Sequence, residues 1–336
     1  MVRKYSPVLV LFLLSPLIAE VLLGATKLSN IGGFLPVSLL YGGGAVLIRE
    51  LARRRWRGWG GIVLMGAAYG IIEEGLAIQS LFNPSLFNAG LLGGRALNVN
   101  WVWAQWTIGY HTVWSILIPI VLTELLFPAR RSEVWLKQPG LIAFTVIYAL
   151  GVAVIAAIFQ LVLAPDFHAS ARLLASTTLV AAALVAAALA WPRRLADSAH
   201  QVTYHAPAAW VVTFGAALAA AVWFMLLAIP EGWKSGAIVI LPMSIVAAIA
   251  VGTAALMRYW SAGQGWGDIH RLAAVFGALL VSMLFGFFFV TAGNTLDQAG
   301  QGIASLIAVG LLALFAWRLR GRNQAATLVR AGAARD

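Results

Sequence analysis

The sequence predicts an all-α, polytopic integral membrane protein of about ten transmembrane helices, with both termini in the cytoplasm. Three observations predict it. The first is composition. Of the 336 residues 61% are hydrophobic and 10% charged, whereas a soluble domain carries roughly 25% charged residues. So much apolar surface cannot be hidden in a water-soluble core. The second is segmentation. A bilayer span needs about 20 mostly apolar residues, and ten such runs stand at 6–23, 31–48, 60–80, 101–127, 139–164, 172–191, 208–228, 236–257, 270–291 and 302–318. The third is the placement of charge. With both termini inside, nineteen of the twenty-three Lys and Arg fall in inner segments, and four (Lys27, Arg95, Arg172 and Lys234) in outer ones. This is the positive-inside pattern.

The net charge of +11 is therefore topological, and no nucleic-acid partner is expected. The expected partners are membrane lipids and a membrane-embedded peptide or small-molecule substrate. The expected location is a cell (inner) membrane. The chain reads as one transmembrane domain, residues 1–318, followed by a basic cytoplasmic tail, 319–336, expected to be disordered or a frayed helix lying on the membrane. Within the domain a polar site falls in spans 1–4, residues 6–127, and Ala-rich apolar spans 5–10 cover 139–318. The absence of cysteine excludes disulfides, thiolate metal sites and a Cys nucleophile. The N-terminal run after Arg3-Lys4 has the outline of a signal peptide. It contains Glu20 and lacks a small-x-small cleavage site, so it reads as a retained first span.

Span 1 carries Glu20 near its outer end. Span 2 passes through Gly42-Gly43-Gly44, which lets a neighbouring helix come close. It is expected to end at Arg49-Glu50, before a basic loop (Arg53, Arg54, Arg55, Trp56, Arg57) that anchors on anionic lipid. Span 3 places Gly66, Gly70 and Glu74 four residues apart on one face, so a tight helix contact leads directly to a carboxylate. Glu73 lies about 100° further round. The connection 81–100 is rich in Asn, Gly and Phe and is expected to fold back on the helices as a cap or shallow re-entrant loop.

Span 4 opens with Trp101, Trp103 and Trp106, expected as an interfacial aromatic belt. Asn100, Thr107 and His111 fall within about 40° on its helical wheel, with Ser115 a little further round. Pro119 predicts a kink, and Glu124 lies near the inner end. Spans 5–10 hold almost no ionisable groups, with Gln160 and Asn294 the main internal polar residues. His168, His200, His205 and His270 fall in loops or at a helix start and read as solvated. Ten spans would suit two inverted repeats, but Glu73, Glu74 and His111 have no counterpart in spans 8 and 9.

The densest set of ionisable groups is therefore Tyr69–His111. Such groups inside membrane helices are costly and usually functional. Two adjacent carboxylates in a low-dielectric site cannot both ionise easily, so one serves as acid and the other as base. A Glu-activated water attacking an amide, with His111 steadying the oxyanion, is a coherent hydrolytic scheme. Glu73, Glu74 and His111 are the candidate catalytic residues. Glu20, Gln79, Arg95, Asn98, Asn100, Thr107 and Ser115 are the candidate supporting or binding residues, Arg95 being the outer cation best placed to pair with a carboxylate. No cofactor is expected. Neither is a metal, because zinc needs three or four ligands and no second His lies at that depth. Two other readings of the same residues stand beside the hydrolase. One is a proton- or cation-coupled transporter or channel. The other is a non-catalytic membrane scaffold, in which a buried Glu–His or Glu–Arg pair fixes helix packing.

Adjacent glutamates on one membrane helix and a histidine on a later one resemble the CPBP (Abi, CAAX-prenyl-protease-like) intramembrane glutamate proteases. The resemblance implies that Glu73 and Glu74 activate water and that His111 stabilises the oxyanion. Ile78 stands where that family's first motif has Arg, and Thr107 where its second has Phe.

Overall fold

Continuous apolar runs form helices because only a helix satisfies every backbone N–H and C=O within one membrane segment. The computed structural model describes residues 2–55, 58–191 and 203–333, with side chains described for 6–55, 58–191 and 203–321. It is built from α1 (Val2–Pro16), α2 (Phe34–Arg54), α3 (Trp59–Ile71), α4 (Trp101–Tyr110), α5 (Ile118–Leu126), α6 (Gln138–Ile158), α7 (Ala171–Ala190), α8 (Ala209–Met225), α9 (Ile240–Ala262), α10 (Asp268–Phe285) and α11 (Thr295–Ala333). Helices α4 and α5 form one span, joined by a widened π turn. Among the described residues nine helices are long and apolar enough to cross a membrane, and Ser6–Val21 is a shorter apolar helix. The chain is an all-α polytopic membrane protein.

Burial divides the spans into a centre and a shell. In the spans of α2, α3 and α4–α5, 56–72% of the residues are buried, against 6–39% in the spans of α6 to α11. Helix α3 packs on the α4–α5 span on one side and on α7 on the other, α2 lies against α1 and α6, and α8 pairs with α10. The predicted tight contact of α3 is present. A Cβ on Gly66 would sit 3.2 Å from Thr112 Cα, and one on Gly70 would sit 3.1 Å from Ile108 Cα and 3.2 Å from His111 Cβ. These glycines bring the α3 backbone onto the helix that carries His111.

Several expectations are corrected. Helix α2 does not end at Arg49-Glu50 but runs to Arg54, and both residues are wholly buried. Arg49 donates to Glu50 (2.8 Å), to Glu124 (3.3 Å) and to the carbonyls of Arg130, Arg131 and Glu133. Arg53 binds Glu124 through two nitrogens, at 2.8 and 2.6 Å, and Arg54 donates to the Leu136 carbonyl. These arginines therefore tie α2 to α5 and the segment after it, while Arg55 is exposed. Trp56 and Arg57 of the expected basic loop lie outside the described residues.

Trp103 and Trp106 do not form an interfacial belt with Trp101. They start a buried column, Trp103–Trp106–Tyr110–Trp114, with ring centroids 5.1–5.5 Å apart along one helix face, and only Trp101 is exposed. The connection 81–100 does fold back on the helices. Phe87 stacks on Trp103 at 5.5 Å, and a two-residue hairpin, β1 (Arg95–Ala96) with β2 (Val99–Asn100), pairs Arg95 with Asn100.

The shell is not free of buried charge. Asp297 at the start of α11 is buried and accepts from the Ser29 backbone N–H (2.9 Å) and hydroxyl (3.0 Å). Asn294 lies at a helix end, exposed, and accepts from the Asp297 N–H. His205 is exposed and His270 half-buried. The described part of the tail is helical, since α11 continues to Ala333. His200 and residues 334–336 lie outside the described residues.

Candidate functional site

The centre is built where three helices change pitch. The α-helical ladder gives way to π turns at Leu17–Val21, after α1; at Ile72–Ala77, after α3; and at His111–Leu117, between α4 and α5. The Ile78 N–H reaches back five residues to the Glu73 carbonyl at 2.8 Å. Such turns recur at functional sites, because the extra residue re-aims side chains and frees carbonyls. Glu20 sits in the first, Glu73 and Glu74 in the second, His111 and Ser115 in the third. Pro119 contributes to the third. It has no N–H for the carbonyl of Ser115 four residues earlier, and that carbonyl instead accepts from the Ser15 hydroxyl at 2.6 Å. The Ala19 carbonyl, in the first turn, accepts from Tyr110 Oη at 2.6 Å.

His111 is held between both glutamates. Its Nε2 lies 3.0 Å from Glu74 Oε1, and its Nδ1 lies 3.3 Å from Glu73 Oε2 and 3.1 Å from Ser115 Oγ. All four residues are buried, Glu73 at 2% exposure and Glu74 at 5%. The Ser80 hydroxyl donates to Glu74 Oε2 and accepts from Trp103 Nε1 at 2.8 Å. The rings of Tyr41, Tyr69 and Tyr110 each stand 5.8 Å from the imidazole, and Tyr148 of α6 stands 6.0 Å from Tyr69. Tyr41 Oη donates to Glu20 Oε1 at 2.7 Å, and Thr26 Oγ1 donates to Glu20 Oε2 at 2.9 Å. Two buried atoms here have no hydrogen-bond partner: Tyr69 Oη and Glu73 Oε2. Orphaned buried acceptors and donors are rare in settled packing and mark places with a further task. Among the described residues no cluster of three or more His, Asp or Glu has metal-binding geometry.

A family described as "Uncharacterized membrane protein family" matches residues 9–329. The chain belongs to that family. No curated protein and no solved structure matches it. The match spans the centre and the shell together, from α1 to α11.

Of the candidate residues, the structure brings together Glu73, Glu74, His111 and Ser115, with Glu20 one tyrosine away. It separates the others from them. Gln79 is buried at a positive φ of 62° and accepts from the Ala169 N–H at 2.7 Å. Arg95 does not pair with a carboxylate; it donates to Asn100 Oδ1 (2.6 Å) and to the Phe82 carbonyl (2.9 Å). Asn100 donates to the carbonyls of Ser80 and Asn83, so it fastens the loop over the site. Asn98 is exposed at a turn with φ 61°. Thr107 donates to the Trp103 carbonyl of its own helix.

Sequence reasoning missed Ser80, Tyr41 and Tyr148. Ser80 had a signal, being the first hydroxyl after the Glu pair on the same stretch. Tyr41 and Tyr148 had none, because both come from other spans and only packing sets their rings beside His111 and Tyr69.

Proposed function

We propose that the protein is a membrane-embedded hydrolase, protease-like in mechanism, with Glu73, Glu74 and His111 as its acid–base centre. The observation that carries the reading is the contact of one imidazole with two adjacent carboxylates, at 3.0 and 3.3 Å, inside the bundle. In this reading a carboxylate takes a proton from water as the water oxygen attacks an amide or ester carbonyl. The imidazolium donates to the developing oxyanion, and the protonated carboxylic acid returns its proton to the leaving group. Ser80 and Ser115 fix the orientation of Glu74 and of the imidazole. Tyr69 Oη, buried without a partner, is a spare donor for substrate. The same three residues are the ones that the resemblance to CPBP proteases implies.

The centre is closed in the structure, with Glu73, Glu74, His111 and Ser115 all buried. Toward the end shared by the termini the span continues through buried Ile116, Ile118, Ile120 and Leu122, and Glu124 beyond them is held by Arg49 and Arg53. A substrate embedded in the membrane would enter from the half that the positive-inside pattern makes outer, in a cell (inner) membrane with both termini cytoplasmic. A proton- or cation-coupled transporter is the second reading, favoured by the hydrogen bond between Tyr41 and a third carboxylate, Glu20.

The test uses the full chain in nanodiscs and in vesicles, with Glu74→Gln and His111→Ala. A hydrolase loses cleavage of membrane-embedded peptides in both variants while remaining folded. A transporter loses coupled uptake and cuts no peptide. A scaffold loses melting temperature alone.

A further inference from the structure

The end of the bundle away from the termini carries a second polar feature, which shares no residue with the Glu73–Glu74–His111 centre. It is a cavity of about 180 Å³ between the connection from α1 to α2 and the first turns of α11, and its lining includes Lys27, Leu28, Ile31, Asp297 and Gln301. Asp297 and Gln301 stand four residues apart and so share one face of α11. Asp297 is 2% exposed, and its two oxygens accept from the Ser29 N–H and hydroxyl. A carboxylate offers about four lone-pair sites, so half of its capacity is unused. Among the described residues neither Asp297 nor Lys27 belongs to an ion pair. A buried carboxylate without a counter-ion is costly. The start of α11 offsets part of that cost, and a cation in the cavity would offset the rest. Gln301 is 4% exposed. Its Nε2 donates to the Leu22 and Met283 carbonyls and to Ser305 Oγ, which fixes the orientation of the amide, and its Oε1 is left with no partner. Both side chains therefore lack donors, and Asp297 lacks positive charge.

We propose that this cavity binds the headgroup of a phospholipid that carries a primary ammonium, as phosphatidylethanolamine does. The ammonium lies on Asp297 and Gln301, the phosphate on Lys27, and the acyl chains run along Leu28 and Ile31. Each part of the lining asks for one part of that ligand. An ammonium brings both the charge that Asp297 lacks and N–H donors, three in all, enough for Asp297 and the Gln301 oxygen together. Lys27 is exposed and offers a cation to an anion that arrives with the ammonium. Leu28 and Ile31, 49% and 54% exposed, supply apolar surface beside these charges. The depth agrees as well, because the connections that close membrane spans stand at the level of the lipid headgroups. The same lining rejects the other common headgroups. Phosphocholine has the same two charges but no N–H, so it leaves the Gln301 oxygen unpaired. Phosphoglycerol has no cation for Asp297.

The test uses the full chain in detergent stripped of lipid. Its melting temperature is followed as dioleoyl phosphatidylethanolamine, dioleoyl phosphatidylcholine or water-soluble phosphoethanolamine is added. Half-saturation by phosphatidylethanolamine is expected at a concentration at least about tenfold below that of phosphatidylcholine, as one charge-assisted hydrogen bond provides. Asp297→Asn keeps the shape and removes the charge, and should bring the two lipids to the same half-saturation. Lys27→Gln, at an exposed position, should weaken both lipids by a similar factor and keep their ratio. Equal binding of the two lipids by the wild type overturns the proposal, and so does an undiminished preference in Asp297→Asn. Phosphoethanolamine that binds as tightly as the lipid makes the occupant a soluble molecule and overturns the lipid. The wild-type comparison needs no variant, so it decides the matter even where Asp297→Asn fails to fold.

Discussion

Two buried charge clusters sit on the same central spans and differ in one respect. The cluster at the end shared by the termini joins Arg49, Glu50, Arg53 and Glu124. Every Arg49 nitrogen donates, to carboxylates or to the carbonyls of residues 130, 131 and 133. Both Glu50 oxygens accept backbone N–H groups, from Trp135 and Leu136, and the guanidinium lies 3.4 Å over the Trp135 ring. The cluster toward the opposite end of α3 joins Glu73 and Glu74, in the turn Ile72–Ala77 that closes that span, with His111. It has two carboxylates for one imidazole; Glu73 Oε2 has only the ion-pair contact with His111 Nδ1 at 3.3 Å, and Tyr69 Oη makes no hydrogen bond. A fully connected buried network rigidifies a fold. One that is left incomplete holds capacity for a proton, a water or a substrate. The difference lies in the stoichiometry of charge: the first cluster sets Arg49, Arg53 and Arg54 against Glu50 and Glu124, whereas the second sets two carboxylates against one imidazole.

The largest expected effect breaks the comparison on its structural side. Arg49→Leu removes the buried guanidinium that Glu50 and Glu124 share, leaving Glu50 with two backbone N–H groups and a distant Arg54 and Glu124 with Arg53 alone, and should cost about 3–5 kcal/mol of stability, the usual result of removing one partner from a buried pair. Thermal unfolding in detergent should show the loss. A melting temperature equal to wild type would mean that the inner cluster is not structural.

His111→Ala should lower peptide cleavage by the equivalent of about 2.7–4 kcal/mol, the loss typical of an oxyanion donor, with less thermal destabilisation than Arg49→Leu. If it instead unfolds the protein as completely, the two clusters are alike and the Glu73–Glu74–His111 site is a packing device.

Gly70→Leu sharpens the comparison through geometry. Its Cβ would already touch Ile108 and His111, so the larger side chain should push α3 from the α4–α5 span and destabilise by about 1–3 kcal/mol. Cleavage should fall further than melting temperature indicates, because the displaced atoms belong to His111. Cleavage that tracks stability alone would detach the helix contact from the site.

Glu74→Gln should change stability by no more than about 1 kcal/mol, since the amide oxygen can still accept from His111 and a like charge beside Glu73 is removed. Turnover should be abolished in the same protein. Unchanged cleavage and uptake together with unchanged stability would leave Glu74 without a role.

The smallest effect is a control. Asn98→Gly, at an exposed turn with φ 61°, should leave cleavage at the wild-type rate and stability within about 0.5 kcal/mol. A loss of cleavage would return the loop residue to the centre.

By itself the sequence determined the membrane class, the ten apolar runs, the meeting of α3 with the next span through Gly66 and Gly70, and the three residues of the centre. Each is a consequence of local pattern. Span length is set by bilayer thickness, and a helix face by residues four apart. An ionisable side chain inside an apolar run is visible wherever it points. The tertiary structure alone decided the rest. It showed that Arg49 and Glu50 belong to a buried network rather than to a loop end, because their partners lie some 75 to 85 positions further along the chain. It turned Trp103 and Trp106 inward, which a helical wheel cannot do without knowing where the neighbouring spans stand. It set Ser80 on Glu74, Tyr41 on Glu20 and Tyr148 beside Tyr69, and moved Gln79, Arg95 and Thr107 away. The π turns widen the helix just where the site is built, so side chains there depart from the 100° step on which the sequence reading rested. Periodicity can say which residues share a face. Which faces meet depends on long-range packing that no local pattern encodes.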